Sequence, residues 1–272
     1  MRQRPHHDFV DRGGDAPTIR PTQRRAAHVA MNPLKEAIRT IAAKVGYDVR
    51  STGSLGISPF ADMRKFVPVA TNPLILDIGA NVGQSVGRFR KAFPAGIIHS
   101  FEPGPETFKA LSQNVEPDER VFAWNCAVGA SAGQQTFQEN TNSDMSSFLG
   151  LSTTGWGEVN RQTVVEMTTV DRFLESNSIS HVDILKSDTQ GYELEVLKGA
   201  EEAMRENRIG LVYFEFIFSD MYKHLPGFDQ VFRHLVDRNF SLVAIYDFHY
   251  QNRLASFADV LFINREYYTK TS

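Results

Sequence analysis

Leu74-Ile75-Leu76-Asp77-Ile78-Gly79-Ala80-Asn81-Val82-Gly83 is the stretch that decides the fold. Its first five residues are apolar except for Asp77, as in a short strand buried on both faces, and two glycines follow where the chain must turn sharply. Residues 83–93 read as a helix and residues 97–102 as a second apolar strand. Strand, glycine turn, helix and strand make a right-handed crossover between parallel neighbours. The alternation continues outward. A helix opens at Pro105, strands fall at residues 121–125 and 182–186, and shorter ones at 135–138 and 164–168 bracket a polar segment. Helices are expected at 169–175, 194–206 and 228–238, and strands at 209–216, 241–246 and 258–263. Only a loop, residues 247–257, joins the last two strands, so they are expected to be antiparallel neighbours. The predicted class is α/β, a mostly parallel sheet covered by helices on both faces.

Composition narrows the possibilities. The chain has 272 residues, of which 42% are hydrophobic and 22% charged, the balance of a soluble globular protein. A net charge of −3 supplies no basic field for nucleic acid. The longest apolar run, residues 209–218, contains Glu215 and is far short of the roughly 18 residues of a membrane span. A single cysteine, Cys126, rules out an internal disulfide and is expected to be a small core residue. The reading is a soluble cytoplasmic protein with no membrane span.

Residues 1–30 carry six arginines and three aspartates without hydrophobic periodicity, and read as a disordered arm. Arg24-Arg25 is followed by no apolar region, which argues against an export signal. Met31 opens the first patterned segment. Leu34, Ile38, Ile41 and Val45 share one helix face, and Asn32-Pro33 supplies its start. Residues 31–72 are therefore expected to be an N-terminal helix and linker, and residues 73–268 the catalytic domain.

In a sheet of this kind ligands bind beyond the carboxyl ends of the strands, where strand order reverses. Gly79 and Gly83 allow a close backbone approach there. Glu102, 23 residues after Gly79, ends the second strand where a carboxylate can accept from both hydroxyls of a ribose. The three glycines of a dinucleotide turn would fall at Gly79, Asn81 and Gln84, so two are missing. That disfavours NAD and FAD and favours an adenosine ligand without phosphates, S-adenosyl-L-methionine.

The segment Asp77-Ile78-Gly79-Ala80-Asn81-Val82-Gly83-Gln84-Ser85 resembles the FkbM-type S-adenosylmethionine-dependent O-methyltransferases. So do Phe101-Glu102-Pro103-Gly104-Pro105-Glu106-Thr107-Phe108 and Asp183-Ile184-Leu185-Lys186-Ser187-Asp188-Thr189-Gln190-Gly191-Tyr192-Glu193. The similarity covers roughly residues 70–265, about one domain. It implies the Rossmann-like class I methyltransferase fold, a mostly parallel seven-stranded sheet with a C-terminal antiparallel strand. It also implies that Gly79, Asn81, Gly83 and Ser85 meet the methionine end of the cofactor. Glu102 would hold the ribose and Asn125 to Ala127 would lie near the adenine, with Asp77 and Asp188 completing the cofactor set.

Methyl transfer to a hydroxyl needs an aligned oxygen and a base for its proton. The candidates are Lys186, Asp188, Glu193 and Glu215 on or near strand ends, with Tyr222, His224 and His249 on loops. Asp188, just past the central strand, is the first choice. Lys186 would need a buried partner, and Asp188 shares its strand face. Glu215 interrupts the most apolar strand, so it is either functional or paired. Glu193 also reads as a first-turn helix acid, and His249 as a base or substrate contact. A divalent ion, if one is used, would lie between Asp188 and Glu215, although no third ligand is evident. The polar segment 141–163 has the length of a lid, and Trp156 could stack on a sugar. The predicted function is S-adenosylmethionine-dependent O-methylation of a sugar, glycan or secondary metabolite. The competing readings are an inactive methyltransferase-like binding module and, third, an NAD-dependent oxidoreductase; a homo-oligomer stays open.

Overall fold

Leu74–Ile78 forms β1, an interior strand of a seven-stranded sheet, with four of its five side chains buried. The computed structural model describes residues 33–51, 53–67 and 72–271; the arm expected over residues 1–30 lies outside them. The other strands are β2 (Ile97–Phe101), β3 (Val121–Trp124), β4 (Ala127–Val128), β5 (Gly133–Asn140) and β6 (Val159–Thr168). They continue as β7 (Val182–Ser187), β8 (Ile209–Ile217), β9 (Phe240–Gln251) and β10 (Leu254–Asn264). The main sheet has the order β3-β2-β1-β7-β8-β10-β9. Only β10 is reversed, pairing antiparallel with both β8 and β9, while the remaining pairs are parallel. The chain therefore builds outward from β1 to β3 and returns to β7 on the other side of β1. That reversal between β1 and β7 opens a crevice at their carboxyl ends.

Alternate side chains sort onto two cores. On one face Leu76, Ile78, Leu185, Val212 and Phe214 pack with α5 (Val170–Ser176), α6 (Glu193–Lys198), α7 (Glu201–Arg205) and α8 (Phe228–Val236). On the other, Ile75, Ile98, Ile184 and Leu211 meet α2 (Pro59–Phe66), α3 (Gln84–Ala92) and α4 (Pro105–Val115). A small second sheet, β4-β6-β5, is inserted between β3 and β7. The polar segment before β7 is thus mostly paired: β5 and β6 run antiparallel from Gly133↔Met167 to Asn140↔Val159.

Three expectations change. The helix expected over residues 194–206 is two helices, α6 and α7, broken at Gly199-Ala200. The Asp171 carboxylate caps α7, accepting from the Glu202 and Ala203 N–H groups at 2.9 Å each. A Cβ on Gly199 would lie 2.0 Å from the Gly129 carbonyl oxygen, so a close backbone contact accompanies the break. The loop expected over residues 247–257 is instead a long hairpin. β9 and β10 continue to a two-residue turn, Asn252-Arg253, with φ of 50° and 68°, the primed type that matches strand twist.

The linker reading of residues 51–72 also fails for α2. The chain divides into two units, Met1–Val49 and Arg50–Ser272, and α2 belongs to the second. Its Met63, with Val67 just after it, is fully buried in the core. Asp62, also fully buried, accepts from the Gly56 N–H at 2.7 Å and the Tyr246 hydroxyl at 3.0 Å, joining α2 to β9. The first unit contains α1 (Pro33–Lys44) at the expected place, with none of its residues buried. The C-terminal helix α9 (Arg265–Thr271) had no counterpart in the sequence reading. Its Tyr267 hydroxyl donates to Asp183 at the start of β7.

Replacing Asp62 by Ala is expected to lower the unfolding free energy by about 1–3 kcal/mol, since the buried Tyr246 hydroxyl and the half-buried Gly56 N–H lose their acceptor. Tyr246→Phe, which removes one of those bonds, should cost roughly 0.5–1.5 kcal/mol. Urea denaturation of both variants measures this; an unchanged midpoint for Asp62→Ala would refute the docking role of α2.

Candidate active site

Strand registers assemble the site in two rows. Ser100, Asp77, Lys186 and Tyr213 lie side by side across β2, β1, β7 and β8. Immediately beyond the ends of β2, β1 and β7 come Glu102, Gly79 and Asp188, while Glu215 lies two residues after Tyr213 on β8 and shares its face. Asp259 of β10 lies directly opposite Glu215.

The lower row is the floor. Lys186 Nζ sits 3.0 Å from Asp77 Oδ1, donates to the Gly79 carbonyl at 2.8 Å, and lies 3.7 Å from Asp188 Oδ2. Asp77 Oδ2 also accepts from Ser85 Oγ at 2.6 Å and from Ser100 Oγ at 3.4 Å. Burial pulls the Lys186 ammonium down, but Asp77, Asp188 and Glu215 outweigh it and hold it above its ordinary value. Lys186 therefore stays charged, ion-paired with Asp77 and hydrogen-bonded to the Gly79 carbonyl, and a charged ammonium has no lone pair with which to act as a base. The partner that sequence alternation assigned to it, Asp188, is the more distant of its two carboxylates.

Above this floor a cleft of about 780 Å³ opens at the β1–β7 crevice. One half is lined by Gly79, Ala80, Asn81, Ser85, Glu102, Pro103, Cys126 and Ala127. The turn after β1 has φ of +73° at Gly79, +49° at Asn81 and +98° at Gly83. A Cβ at Gly79 would lie 1.9 Å from the Asp188 carbonyl oxygen, so only glycine lets β1 and β7 approach here. Glu102, 6% exposed, accepts from the Asn81 N–H at 3.0 Å through one oxygen and from the Gly104 N–H at 2.9 Å through the other. Burial pushes its carboxyl up to about 7 against the opposing pull of those two bonds. A carboxylate offers about four lone-pair sites, so acceptor capacity is left for a ligand.

Three residues of the expected cofactor set stand behind the wall rather than on it. Asp77 is in the floor, Gly83 starts α3, and the Asn125 amide donates to the Glu102 and Pro103 carbonyls at 2.9 and 3.2 Å. Cys126 is half-buried: it packs against the core, as expected, and also lines the cleft, with burial pushing its thiol up to about 11.

The other half of the cleft is acidic and aromatic. Asp188, its side chain 41% exposed, faces it together with Glu215 and Asp259. Gln190, which the sequence reading quoted without giving it a role, joins the first two. Its Nε2 donates to Asp188 Oδ1 at 3.2 Å and to Glu215 Oε1 at 3.0 Å. The Tyr222 hydroxyl lies 3.0 Å from Gln190 Oε1 and 2.9 Å from the Met145 carbonyl, which orients the amide. Tyr222 is thus part of this bracing and is 1% exposed. Burial, then Asp188, Asp259 and Glu193, push the Glu215 carboxyl up to about 8. Asp259 accepts from the Tyr213 hydroxyl at 2.6 Å.

The remaining candidates separate cleanly. Glu193 is buried and accepts from the Thr189 N–H at 2.8 Å and its hydroxyl at 3.1 Å, so it closes the turn before α6. His224 is exposed and outside the cleft lining. His249 lies on β9 rather than on a loop, lines the cleft and stacks on Phe257 with ring centroids 4.3 Å apart. Residues Ser143–Met145, a short 3-10 turn, cover the cleft and are tied to it by Ser143 Oγ on Asn81 Oδ1 and Ser147 Oγ on the Gln190 carbonyl. Trp156 reaches the same wall and meets Phe257 edge-on at 6.4 Å. Asp188 and Glu215, the pair expected to flank any ion, are joined through Gln190. Among the described residues no three His, Cys, Asp or Glu side chains are grouped to hold a metal.

Comparison with known proteins matches this geometry to a family. Residues 77–242 fit the model of the methyltransferase FkbM domain. The chain is similar to the 2-O-methyltransferase NoeI of Sinorhizobium fredii, 25% identical over 56% of this chain and 66% of that protein. It is likewise similar to the methyltransferase sdnD of Sordaria araneosa, 28% identical over 48% of this chain and 62% of that one. The hexuronic acid methyltransferase AglP of Haloferax volcanii is 24% identical over 48% of this chain and 52% of its own length. The matches thus span about half to two thirds of these relatives. The domain match covers more than half of the chain and takes in the Gly79 turn, Glu102, Asp188 and Glu215, and the chain belongs to the FkbM methyltransferase family.

Proposed function

We propose that this protein is an S-adenosylmethionine-dependent O-methyltransferase whose acceptor is a hydroxyl of a sugar, glycan or secondary metabolite. One observation carries the reading: a buried Glu102, held by two backbone N–H groups, and a cleft-facing Asp188 stand in one row on either side of the Gly79 turn. The residues present suit the donor. Glu102 has free acceptor sites for a ribose diol, the Gly79–Asn81 backbone can approach the methionine end, and Ala127 with Cys126 forms an apolar wall for adenine. A pyrophosphate is poorly served, because the lining cations are Arg88 and Lys186 and Lys186 is already held by Asp77. The relatives named for 2-O-methylation and hexuronic acid methylation support a sugar acceptor.

When bound, S-adenosylmethionine supplies a methyl group already activated on a sulfonium. Asp188 would accept the acceptor hydroxyl's proton as the methyl group passes to the oxygen. Lys186 holds Asp188 from below and Gln190 from the side, so the carboxylate oxygen is aimed before the acceptor arrives. Trp156, Phe257 and the turn at residues 143–146 wall the acceptor from water. Composition supports a cytoplasmic enzyme acting on a small molecule or glycan rather than nucleic acid.

Calorimetric titration is expected to show micromolar binding of S-adenosylmethionine and S-adenosylhomocysteine, no binding of NAD, and weakening by Glu102→Ala. Binding of NAD alone would overturn the donor assignment, and failure of folded protein to bind either sulfur ligand would favour an inactive module. Asp188→Ala should abolish methyl transfer to an acceptor found in a glycoside screen while changing cofactor affinity by less than about tenfold, ~1.4 kcal/mol. Full activity in that variant would remove Asp188 from the role of base.

A stability consequence follows from the raised carboxyls. Glu102, Glu193 and Glu215, at about 7, 7 and 8 in the fold, bind protons more tightly than in the unfolded chain at about 4.5. Their contribution is full below about 4.5 and lost as pH rises through 7 to 8. The ligand-free protein should therefore show a lower urea midpoint at about pH 8.5 than at about pH 7, and Glu215→Gln should flatten the difference. A midpoint that climbs over that range would contradict the assignment.

A further inference from the structure

Resting on the methyl-transfer reading of the cleft, we propose that its acceptor is a neutral glycoside, and that hexuronates and phosphorylated or sulfated sugars are rejected by the charge of the cleft wall. The acceptor half of the cleft is lined by four carboxylates: Asp144, Asp188, Glu215 and Asp259. Arg88 and His249 are the basic groups on that side, since Lys186 is committed to Asp77 in the floor. Among the ion pairs of the described residues, Asp188 meets Lys186 at 3.7 Å and Arg88 meets none of the four carboxylates, so Arg88 is the single cation set against them.

The arrangement is costly to the fold. Glu215 and Asp259 face each other directly across β8 and β10, and like charges opposite one another destabilise a sheet. Their hydrogen bonds do not relieve it. Glu215 accepts from the Gln190 amide and Asp259 from the Tyr213 hydroxyl, neutral donors that satisfy lone pairs without cancelling charge. Glu215 answers the crowding by holding its proton: burial, then Asp188 and Asp259, push its carboxyl up to about 8, so near neutrality the negative charge of the cleft rests on the other carboxylates. A carboxylate, phosphate or sulfate on an acceptor would join the same repelling group in a cleft partly closed to water, where charges act more strongly than in bulk.

A hydroxyl does the opposite. Ionised carboxylates are pure acceptors, and a ring bearing several hydroxyls can donate to more than one of them. An aromatic group adjoins these carboxylates, since Phe257 lies two residues from Asp259 on β10 and so on the same face. Phe257 is stacked on His249 and met edge-on by Trp156. A pyranose has a C–H face for the rings and an edge of hydroxyls for the neighbouring carboxylates. An acidic patch beside an aromatic one is the specificity device: it attracts by donors and excludes by charge.

The test uses the full chain saturated with S-adenosylhomocysteine and ligand-observed NMR with matched pairs of methyl hexopyranosides and methyl hexuronides. At least one neutral glycoside should bind, with its uronide weaker by at least about tenfold. Asp259→Asn should narrow that ratio, and Trp156→Ala should weaken the neutral member of the pair. A uronide that binds as tightly as its neutral partner overturns the proposal, as does a panel in which no neutral glycoside binds the loaded protein. Failure to load with S-adenosylhomocysteine would instead sink the donor reading, and this proposal with it.

Discussion

A single ammonium group buried between β1 and β7 underlies the carboxyl edge of the sheet. Lys186 is 5% exposed, and such a charge is stable in an interior only if several partners replace its water. Asp77 and the Gly79 carbonyl do so at 3.0 and 2.8 Å, with Asp188 further out. Each partner belongs to a different part of the site: the strand that turns, the turn itself and the cleft wall. Removing one partner of such a buried pair typically costs about 3–5 kcal/mol, because the other charge is left unsatisfied. The ion pair is therefore better regarded as a register pin than as a source of stability. It holds β1 against β7 at the one place where strand order reverses.

The two-residue period of the strands turns that pin into a site. Once Asp77 and Lys186 are aligned, Gly79 and Asp188 must be aligned two residues further on, and Glu102 and Glu215 follow on the neighbouring strands. Gly79 is the gap in an otherwise acidic row. It keeps Glu102 apart from the Asp188, Glu215 and Asp259 cluster, so one carboxyl group stands on one side of the turn and three on the other. Gln190 makes the crowding tolerable, since one amide nitrogen donates to two of those carboxyl groups and Tyr222 orients its far end. The floor is charged, and acidic and aromatic side chains adjoin above it.

Much of this was legible in the chain. The apolar runs with Gly79 and Gly83 identified the crossover, and the distance from Gly79 to Glu102 placed a carboxylate at the next strand end because strand, helix and strand have nearly constant lengths. Asp188, Lys186 and Glu215 stood out because charges in apolar strands need a reason. His249 was found as a cleft residue but on the wrong kind of element. The alternation of its hairpin is interrupted by register shifts near Phe257 and by a positive φ at Asp247, which hides the strand pattern. Helix α2 was missed because Pro59 to Phe66 is short and polar, and its anchor, Asp62, is held by Tyr246 from 184 residues away.

Local sequence alone determined the alternation of the main-sheet strands with their crossover helices, the glycine turn after β1 and the family, since periodicity, glycine and short motifs are properties of neighbouring residues. Tertiary structure decided which carboxylate Lys186 pairs with, that Asn125 braces rather than lines the site, that Gln190 bridges Asp188 and Glu215, and that Asp259 joins them. Each of these depends on contacts between residues on different elements, or on how a side chain turns once the cleft is closed. A chain records which side chains are available, but distances across a sheet are set only when every strand has found its register.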